Sequence, residues 1–329
     1  LVGSEMCIRD SNQVAELDVA TSENNIQESI AQVYIQILYA AESVKVNEST
    51  LQVSIAQRDR GQELLNAGSI AKSDFAQLEA QVSTDRYQLV TAQATLEDYK
   101  LQLKQLLELD GENEMNIYLP ALSDENVLAP LPTKKDVYIS ALSLRPEIEA
   151  SKLNVEASEL GIGIAKSSYL PTISLSAGIG TNHTSGSDFT FGEQVKNGWN
   201  NSIGLSVSVP IFNNRQTKSA VQKAKLQYET SMLSLLDEQK TLYKTIEGLW
   251  LSANSAQQRY AAANEKLKST QTSYELISEQ FNLGMKNTIE LLTEKNNLLQ
   301  AQQEQLQAKY MAILNTQLLK FYQGDQLAI

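Results

Sequence analysis

Phe281-Asn282-Leu283-Gly284-Met285 interrupts a long run of helical periodicity, and Leu65-Asn66-Ala67-Gly68-Ser69 interrupts a similar run 216 residues earlier. Before the later glycine, apolar or small residues recur at alternating steps of three and four, the spacing of a coiled-coil seam. This seam comprises Ile246, Leu249, Ala253, Ala256, Tyr260, Ala263, Leu267, Thr270, Tyr274, Ile277 and Phe281. The same positions 216 residues earlier are Ile30, Val33, Ile37, Ala40, Val44, Asn47, Leu51, Ser54, Arg58, Gly61 and Leu65. One structural unit therefore occurs twice.

A further seam follows each glycine. After Gly68 it comprises Phe75, Leu78, Val82, Asp85, Leu89, Ala92, Leu96, Tyr99, Leu103 and Leu106, and after Gly284 it includes Leu292, Leu299, Leu306 and Ile313. Glycine accepts the left-handed backbone that commonly ends a helix. The sequence therefore predicts two long antiparallel helical hairpins, each with a tight tip at its glycine.

Composition limits the class of protein. The net charge of −12 argues against nucleic-acid binding, which needs a basic surface, and aromatic residues make up only 6% of the 329 residues. A run of about 18 apolar residues, the length needed for a transmembrane helix, does not occur. Residues 1–11 include Cys7, the single cysteine, and lack the helical periodicity of the residues after them. We interpret them as foreign to the fold.

The remaining chain divides into segments that differ in sequence pattern. Residues 12–109 form the first helical hairpin, and 110–145 form a proline-containing connector with a short helix near 134–144. The second repeat, 146–329, begins with a helix over 146–168, because Pro146 suits the first helical position. A helical hairpin over 213–323 completes this repeat.

Two segments between these helices alternate strictly. Residues 172–181 and 202–211 place Ile, Leu, Val and Ala on one face and mainly Ser, Thr and Gly on the other. The polar, glycine-rich residues 182–201 between them are interpreted as a connecting loop. One interpretation is an antiparallel sheet with its apolar face on a soluble core. We favour a transmembrane β-hairpin, since the strands have the length and alternation of membrane strands and the chain offers no other apolar layer to cover them.

Several segments together resemble the TolC-like outer membrane factor family. They are Arg145-Pro146-Glu147-Ile148-Glu149-Ala150, Ala165-Lys166-Ser167-Ser168-Tyr169-Leu170-Pro171, the strand segment 172–178, Val209-Pro210-Ile211-Phe212, and residues 274–299 with their Asn-Leu-Gly tip. The resemblance covers residues 13–329, and its specificity lies in the order and spacing of the segments.

The resemblance implies a mainly α-helical protein with a transmembrane β-hairpin. In this family a homotrimer forms an α-helical tunnel through the periplasm, topped by a 12-stranded β-barrel in the outer membrane. Each full-length protomer contributes four strands, whereas this sequence shows two. The resemblance therefore implies N-terminal truncation, with the strand pair of repeat 1 missing.

The family also suggests roles for residues at the two tips. Asp74, Phe281, Lys286 and Glu290 match positions of the gate and constriction, with Asp74 and Lys286 as candidate ion-pair partners. Phe281 stands where a gating tyrosine is typical and lacks the hydroxyl. Gly68, Ser69, Gly284 and Met285 match the tips that dock onto the periplasmic adaptor. From the sequence alone, without the resemblance, a solvated charge on a helix surface is the favoured interpretation of each of these charged residues.

The sequence offers no candidate for catalysis, a cofactor or a metal. His183 is the only histidine, and Gly161-Ile162-Gly163 and Gly178-Ile179-Gly180 lie in helical and strand patterns, away from any strand-to-helix turn. We expect a non-enzymatic outer-membrane exit duct of an efflux or type I secretion system, extending into the periplasm of a Gram-negative bacterium. Its expected partners are an adaptor (membrane fusion protein), an inner-membrane transporter and outer-membrane lipid. The alternative is a soluble periplasmic coiled-coil scaffold or adaptor, and the sequence names neither cargo nor pump class.

Overall fold

The computed structural model describes residues 2–109, 117–118, 120, 127–186 and 188–327, with side chains from residue 8 onward. Its elements are, in chain order, α1 (Val2–Asn66), α2 (Lys72–Leu106), α3 (Lys134–Leu144), α4 (Pro146–Ser167), β1 (Thr172–Gly180), α5 (Phe191–Asn197), β2 (Asn200–Ser208), α6 (Gln216–Asn282) and α7 (Thr288–Gln323). The mainly helical class and both long helical hairpins are confirmed.

The periodic seams explain which helix faces pack. Every seam position of α1, α2 and α6 is buried or half-buried, including the polar members Asn47, Ser54 and Asp85. On α7, Leu299, Leu306 and Ile313 are buried and Leu292 is half-buried. The three-four spacing therefore predicted the packed face of each long helix.

Backbone conformation corrects several predicted boundaries. Asn214 and Arg215 have φ of 50° and 62°, so α6 begins at Gln216 and not at 213. Glu108 has φ of 52°, and α2 has already ended at Leu106 instead of reaching 109. Helix α4 ends at Ser167, one residue before the predicted end. At the N-terminal end, α1 includes Val2 to Ser11, so its backbone shows no break where composition changes.

The chain forms two compact units. The first contains Leu1–Leu17 and Glu149–Glu238, and the second contains Asp18–Ile148 and Gln239–Ile329. The first unit contains both strands. The second unit contains both hairpin tips, helix α3 and the three buried apolar clusters.

In the second unit, Arg145 explains the Arg-Pro-Glu segment between α3 and α4. Its guanidinium lies 2.7 Å from Glu28 on α1 and 3.0 Å from Glu147, and it stacks 3.9 Å from the ring centre of Tyr322 on α7. Arg145 is 7% exposed. Desolvation acts to lower the pKa of Arg145, but the hydrogen bond to Glu28 and the nearby charges outweigh it and raise that pKa. This contact joins the connector to the start and end of the helical unit.

The strand pair of the first unit is antiparallel. Ile173 pairs with Val207 and Leu175 with Leu205, so apolar side chains meet on one face, while Ser174 opposite Ser206 lies on the other. Both strands are exposed along their whole length, with Leu175 76% and Leu205 70% exposed.

Two details of this pair differ from the sequence prediction. β2 spans 200–208 and not 202–211, since Pro210 lacks the N–H that a ladder requires. The connecting loop contains the short helix α5. Its start is a capping box, in which the Thr190 N–H donates to Glu193 Oε2 at 3.0 Å. Among the described residues, no helix is long and apolar enough to cross a membrane.

Candidate functional site: the two hairpin tips

The first tip is a helix-ending turn built on Gly68. Gly68 has φ of +72°, its N–H donates to the Leu65 carbonyl at 2.9 Å, and the Ser69 N–H donates to the Leu64 carbonyl at 2.8 Å. These two bonds and the left-handed glycine define a Schellman motif. The turn satisfies the last carbonyls of α1 and reverses the chain into α2.

The second tip repeats this turn 216 residues later. Gly284 has φ of +74°, its N–H donates to the Phe281 carbonyl at 2.9 Å, and the Met285 N–H donates to the Gln280 carbonyl at 2.8 Å. The repeat inferred from the seams therefore extends to individual hydrogen bonds.

Asp74 and Glu290 occupy equivalent positions in the first turns of α2 and α7. Asp74 Oδ2 accepts the Ala71 N–H at 3.3 Å, and Glu290 Oε2 accepts the Asn287 N–H at 3.2 Å. Asn287 reciprocates, because its Oδ1 accepts the Glu290 N–H at 2.9 Å, whereas Ala71 has no side-chain acceptor. A carboxylate here also suits the positive end of the helix dipole.

Lys286 pairs with Glu290 of the same tip. The Lys286 Nζ lies 2.5 Å from Glu290 Oε1, with about a third of the lysine side chain exposed. The hydrogen bond from Lys286, followed by that from the Asn287 N–H, lowers the pKa of the Glu290 carboxyl. The ion pair in this chain is therefore Lys286–Glu290, and a link between Lys286 and Asp74 remains a prediction.

Phe281 lies in the buried apolar cluster behind the tips. It is 2% exposed and packs with Leu78 of α2 and Leu291 of α7, which are 1% and 0% exposed. The ring therefore joins the two helical hairpins within one chain. An apolar ring suits this buried position.

The two tips differ in the surface that they expose. On the second tip Leu283, Met285 and Ile289 are 69%, 72% and 62% exposed. Their equivalents on the first tip are the exposed residues Ala67, Ser69 and Ser73. The tip glycines and Met285 are among the predicted docking residues, whereas Leu283 and Ile289 were not singled out from the sequence. Together the three exposed apolar side chains form a patch of the kind that can mark an interaction site.

The chain is similar in sequence to known outer-membrane proteins. The family model described as "Outer membrane efflux protein" matches residues 137–324. The outer membrane efflux protein BepC of Brucella suis is 24% identical over 294 residues, which is 89% of this chain and 61% of BepC. The outer membrane protein TolC of Escherichia coli is 23% identical over 311 residues, 92% of this chain and 62% of TolC.

Solved structures share the fold at lower identity. A crystal structure of CusC has a TM-score of 0.84 at 18% identity, covering 98% of this chain and 74% of that chain. The outer-membrane channel OprN has a TM-score of 0.81 at 19% identity, covering 98% and 71%. The chain spans about three fifths of the length of BepC and TolC.

Proposed function

Because the chain belongs to the outer membrane efflux protein family, we propose that it forms part of an outer-membrane exit duct, which passively conducts solutes delivered by an inner-membrane transporter and a periplasmic adaptor. The observation that carries the proposal is the pair of matched hairpin tips, one of which exposes a large apolar surface. Such an arrangement suits docking and has no evident use in catalysis.

The second tip has the properties of a docking surface. Leu283, Met285 and Ile289 together expose apolar area beside the Lys286–Glu290 ion pair, which gives an apolar centre and a charged rim. Protein interfaces commonly have this composition. We assign this surface, with Gly68, Ser69 and Gly284 shaping the turns, to the adaptor.

The strand pair supports location in the outer membrane. Ile173, Leu175, Ile203, Leu205 and Val207 expose apolar side chains to the same side of the sheet. Exposed area of this kind is costly in water and favourable in lipid. A soluble periplasmic scaffold, the alternative function, would have to cover this face with another protein.

We propose that three copies assemble and that Asp74, Lys286 and Glu290 line the constriction where their tips converge. Asp74 of one copy then competes with Glu290 of the next copy for the Lys286 side chain of that next copy. Phe281 contributes by packing behind the constriction. Charged groups at these positions add an ionic-strength dependence to closure, because salt screens exposed charges.

Fractionation of the source bacterium tests the duct against the scaffold. We expect the protein in the outer-membrane fraction, retained after carbonate and high-salt washes and released as a trimer by mild detergent. Replacement of Leu175 and Leu205 by Asn removes apolar area from the lipid-facing side and should prevent retention. Matched replacement of Ser174 and Ser206 by Asn on the opposite face serves as the control. Recovery of the unmodified protein in the soluble periplasmic fraction would favour the scaffold.

A further inference from the structure

A charged pair is buried where the two helical hairpins meet. Asp85 of α2 and Lys295 of α7 form an ion pair, and their side chains are 1% and 3% exposed. Ser54 of α1, 2% exposed, donates its hydroxyl hydrogen to Asp85 Oδ2 and accepts a hydrogen bond from the Lys295 ammonium. Three helices from both hairpins thus contribute to one buried polar cluster.

Asp85 and Lys295 have hydrogen-bond partners even though both side chains are buried. Gln81 Nε2 donates to the second oxygen of Asp85 at 2.9 Å, so both carboxylate oxygens accept hydrogen bonds. Burial lowers the pKa of Lys295, and the neighbouring Asp85 partly opposes this effect. A buried ion pair is seldom more stabilising than a well-packed apolar pair, because desolvation offsets the attraction. Stability is therefore not a sufficient reason for two charges at this position.

The internal repeat bears on the register of the two hairpins. The counterpart of Asp85 in the second hairpin is Ala301, which is fully buried, and the counterpart of Lys295 in the first is Glu79, which is exposed. Each hairpin alone carries apolar seams that repeat every seven residues. Such seams accept a partner displaced by one heptad almost as well as the correct one. A single buried polar contact removes this ambiguity, because every displaced register buries an unpaired charge.

We propose that Asp85 and Lys295 are positioning residues that fix the register of the two helical hairpins and thereby set the relative position of their tips. The pair joins opposite hairpins, and the repeat does not duplicate it. Lys295 follows the start of α7 by seven residues, or about two helical turns. Other polar contacts also link the hairpins, since Gln57 Nε2 donates to the Tyr274 hydroxyl at 2.8 Å and Arg145 contacts Glu28 of α1 and Tyr322 of α7. Asp85–Lys295 differs from them as a fully buried ion pair formed directly between α2 and α7.

The distance between the tips tests this proposal without relying on the proposed function. Spin labels replace Ser69 and Met285, both exposed, in a chain carrying Cys7→Ser. Double electron–electron resonance then measures the separation of the labels. Labelled chains are diluted with unlabelled chains, so only distances within one chain contribute.

The informative variant is Asp85→Leu with Lys295→Met, which keeps the volume and removes both charges. We expect it to remain helical and to show a broadened distribution, with a second population displaced by up to about 10 Å, the rise of one heptad. Exchanging the charges, Asp85→Lys with Lys295→Asp, should narrow the distribution again. The control Lys266→Met breaks the exposed Lys266–Glu304 pair between α6 and α7, and it should leave the distance distribution unchanged.

Two results would overturn the proposal. One is a helical apolar variant with the same narrow distribution as the starting chain, which would show that apolar packing alone sets the register. The other is loss of helical structure in that variant, measured by circular dichroism, which would assign the pair to stability. Lys295→Met alone leaves Asp85 buried without its partner. Loss of helical structure in this variant but not in the paired variant would therefore be due to the unpaired charge and not to the loss of the pair itself.

Discussion

Gly284 and Gly68 show how one residue type determines a tip. Their φ values of +74° and +72° lie in the left-handed region, where a β-branched residue is strained. We expect Gly284→Val to lower the free energy of unfolding by about 1–3 kcal/mol, the usual cost of a residue held in a sparsely populated conformation. Chemical denaturation measures this. Gly284→Asn is the matched control, because asparagine tolerates this conformation and should lose less. Equal losses would contradict the role of backbone strain.

Gly61, within α1, has a packing role that could not be recognised from the sequence. A Cβ on Gly61 would overlap Cδ1 of the buried Leu78, so the glycine lets α1 and α2 approach closely. Gly248, within α6, has open space around it.

The same substitution should stabilise the chain at Gly248 but not at Gly61. Gly248→Ala should raise the free energy of unfolding by about 0.8–1.0 kcal/mol through helix propensity. Gly61→Ala gains the same propensity but overpacks Leu78 at a cost of about 1–3 kcal/mol, so the net effect is neutral or destabilising. Chemical denaturation of both variants measures the difference. Equal stabilisation by both would mean that Leu78 moves aside freely.

At the scale of elements, periodicity was a strong predictor where one face of a long helix packs. The seams of α1, α2, α6 and α7 were predicted in register, since three-four spacing and helical packing have the same physical origin. The ends of the strands and the short helix α5 were harder to predict from the sequence. Pro210 should have ended β2 earlier, and the Thr190-to-Glu193 capping box was readable but lay in a segment interpreted as loop.

Asp85 illustrates the limit of the pattern. The residue stands in the predicted seam, and its charge there was the signal of a buried partner. Lys295 lies three residues after Leu292, also at a seam spacing. Which lysine meets which aspartate depends on how the hairpins pack, and periodicity within one helix carries no information about that. Likewise, the local partners of Asp74 and Lys286 depend on turn geometry at the tips.

The first turn of α7 should respond to acid. Hydrogen bonds from Lys286 and the Asn287 N–H lower the pKa of Glu290 in the folded chain. A lowered carboxyl pKa means that the contribution to stability is complete above the ordinary glutamate range, about pH 4.3, and is lost as pH falls through the folded-state value. Carbon-13 NMR of the Glu290 carboxyl should show this lower pKa, and Lys286→Met should raise it towards the ordinary value. A titration unaffected by Lys286→Met would contradict the pairing.

At the scale of the whole molecule, family membership rests on residues 137–324, and the repeat extends the same architecture to the first hairpin. The sequence predicted the class of fold because tips, seams and strands each have local signals. Contacts between chains have no comparable signal in one sequence, since they depend on surfaces that only assembly would bring together. The second tip and the strand pair both expose large apolar side chains in the single chain.

The most direct test of the exit-duct account is export from the source bacterium after deletion of the gene. Intracellular accumulation of dyes and antibiotics and the proteins secreted into the medium are measured together, which covers efflux and secretion. We predict that deletion raises accumulation or abolishes secretion of a specific protein. The unmodified gene should restore export, and the triple variant Leu283→Ser, Met285→Ser and Ile289→Ser should not, although its trimers reach the membrane. Unchanged accumulation and secretion after deletion, in cells whose outer membrane normally contains the protein, would contradict the account.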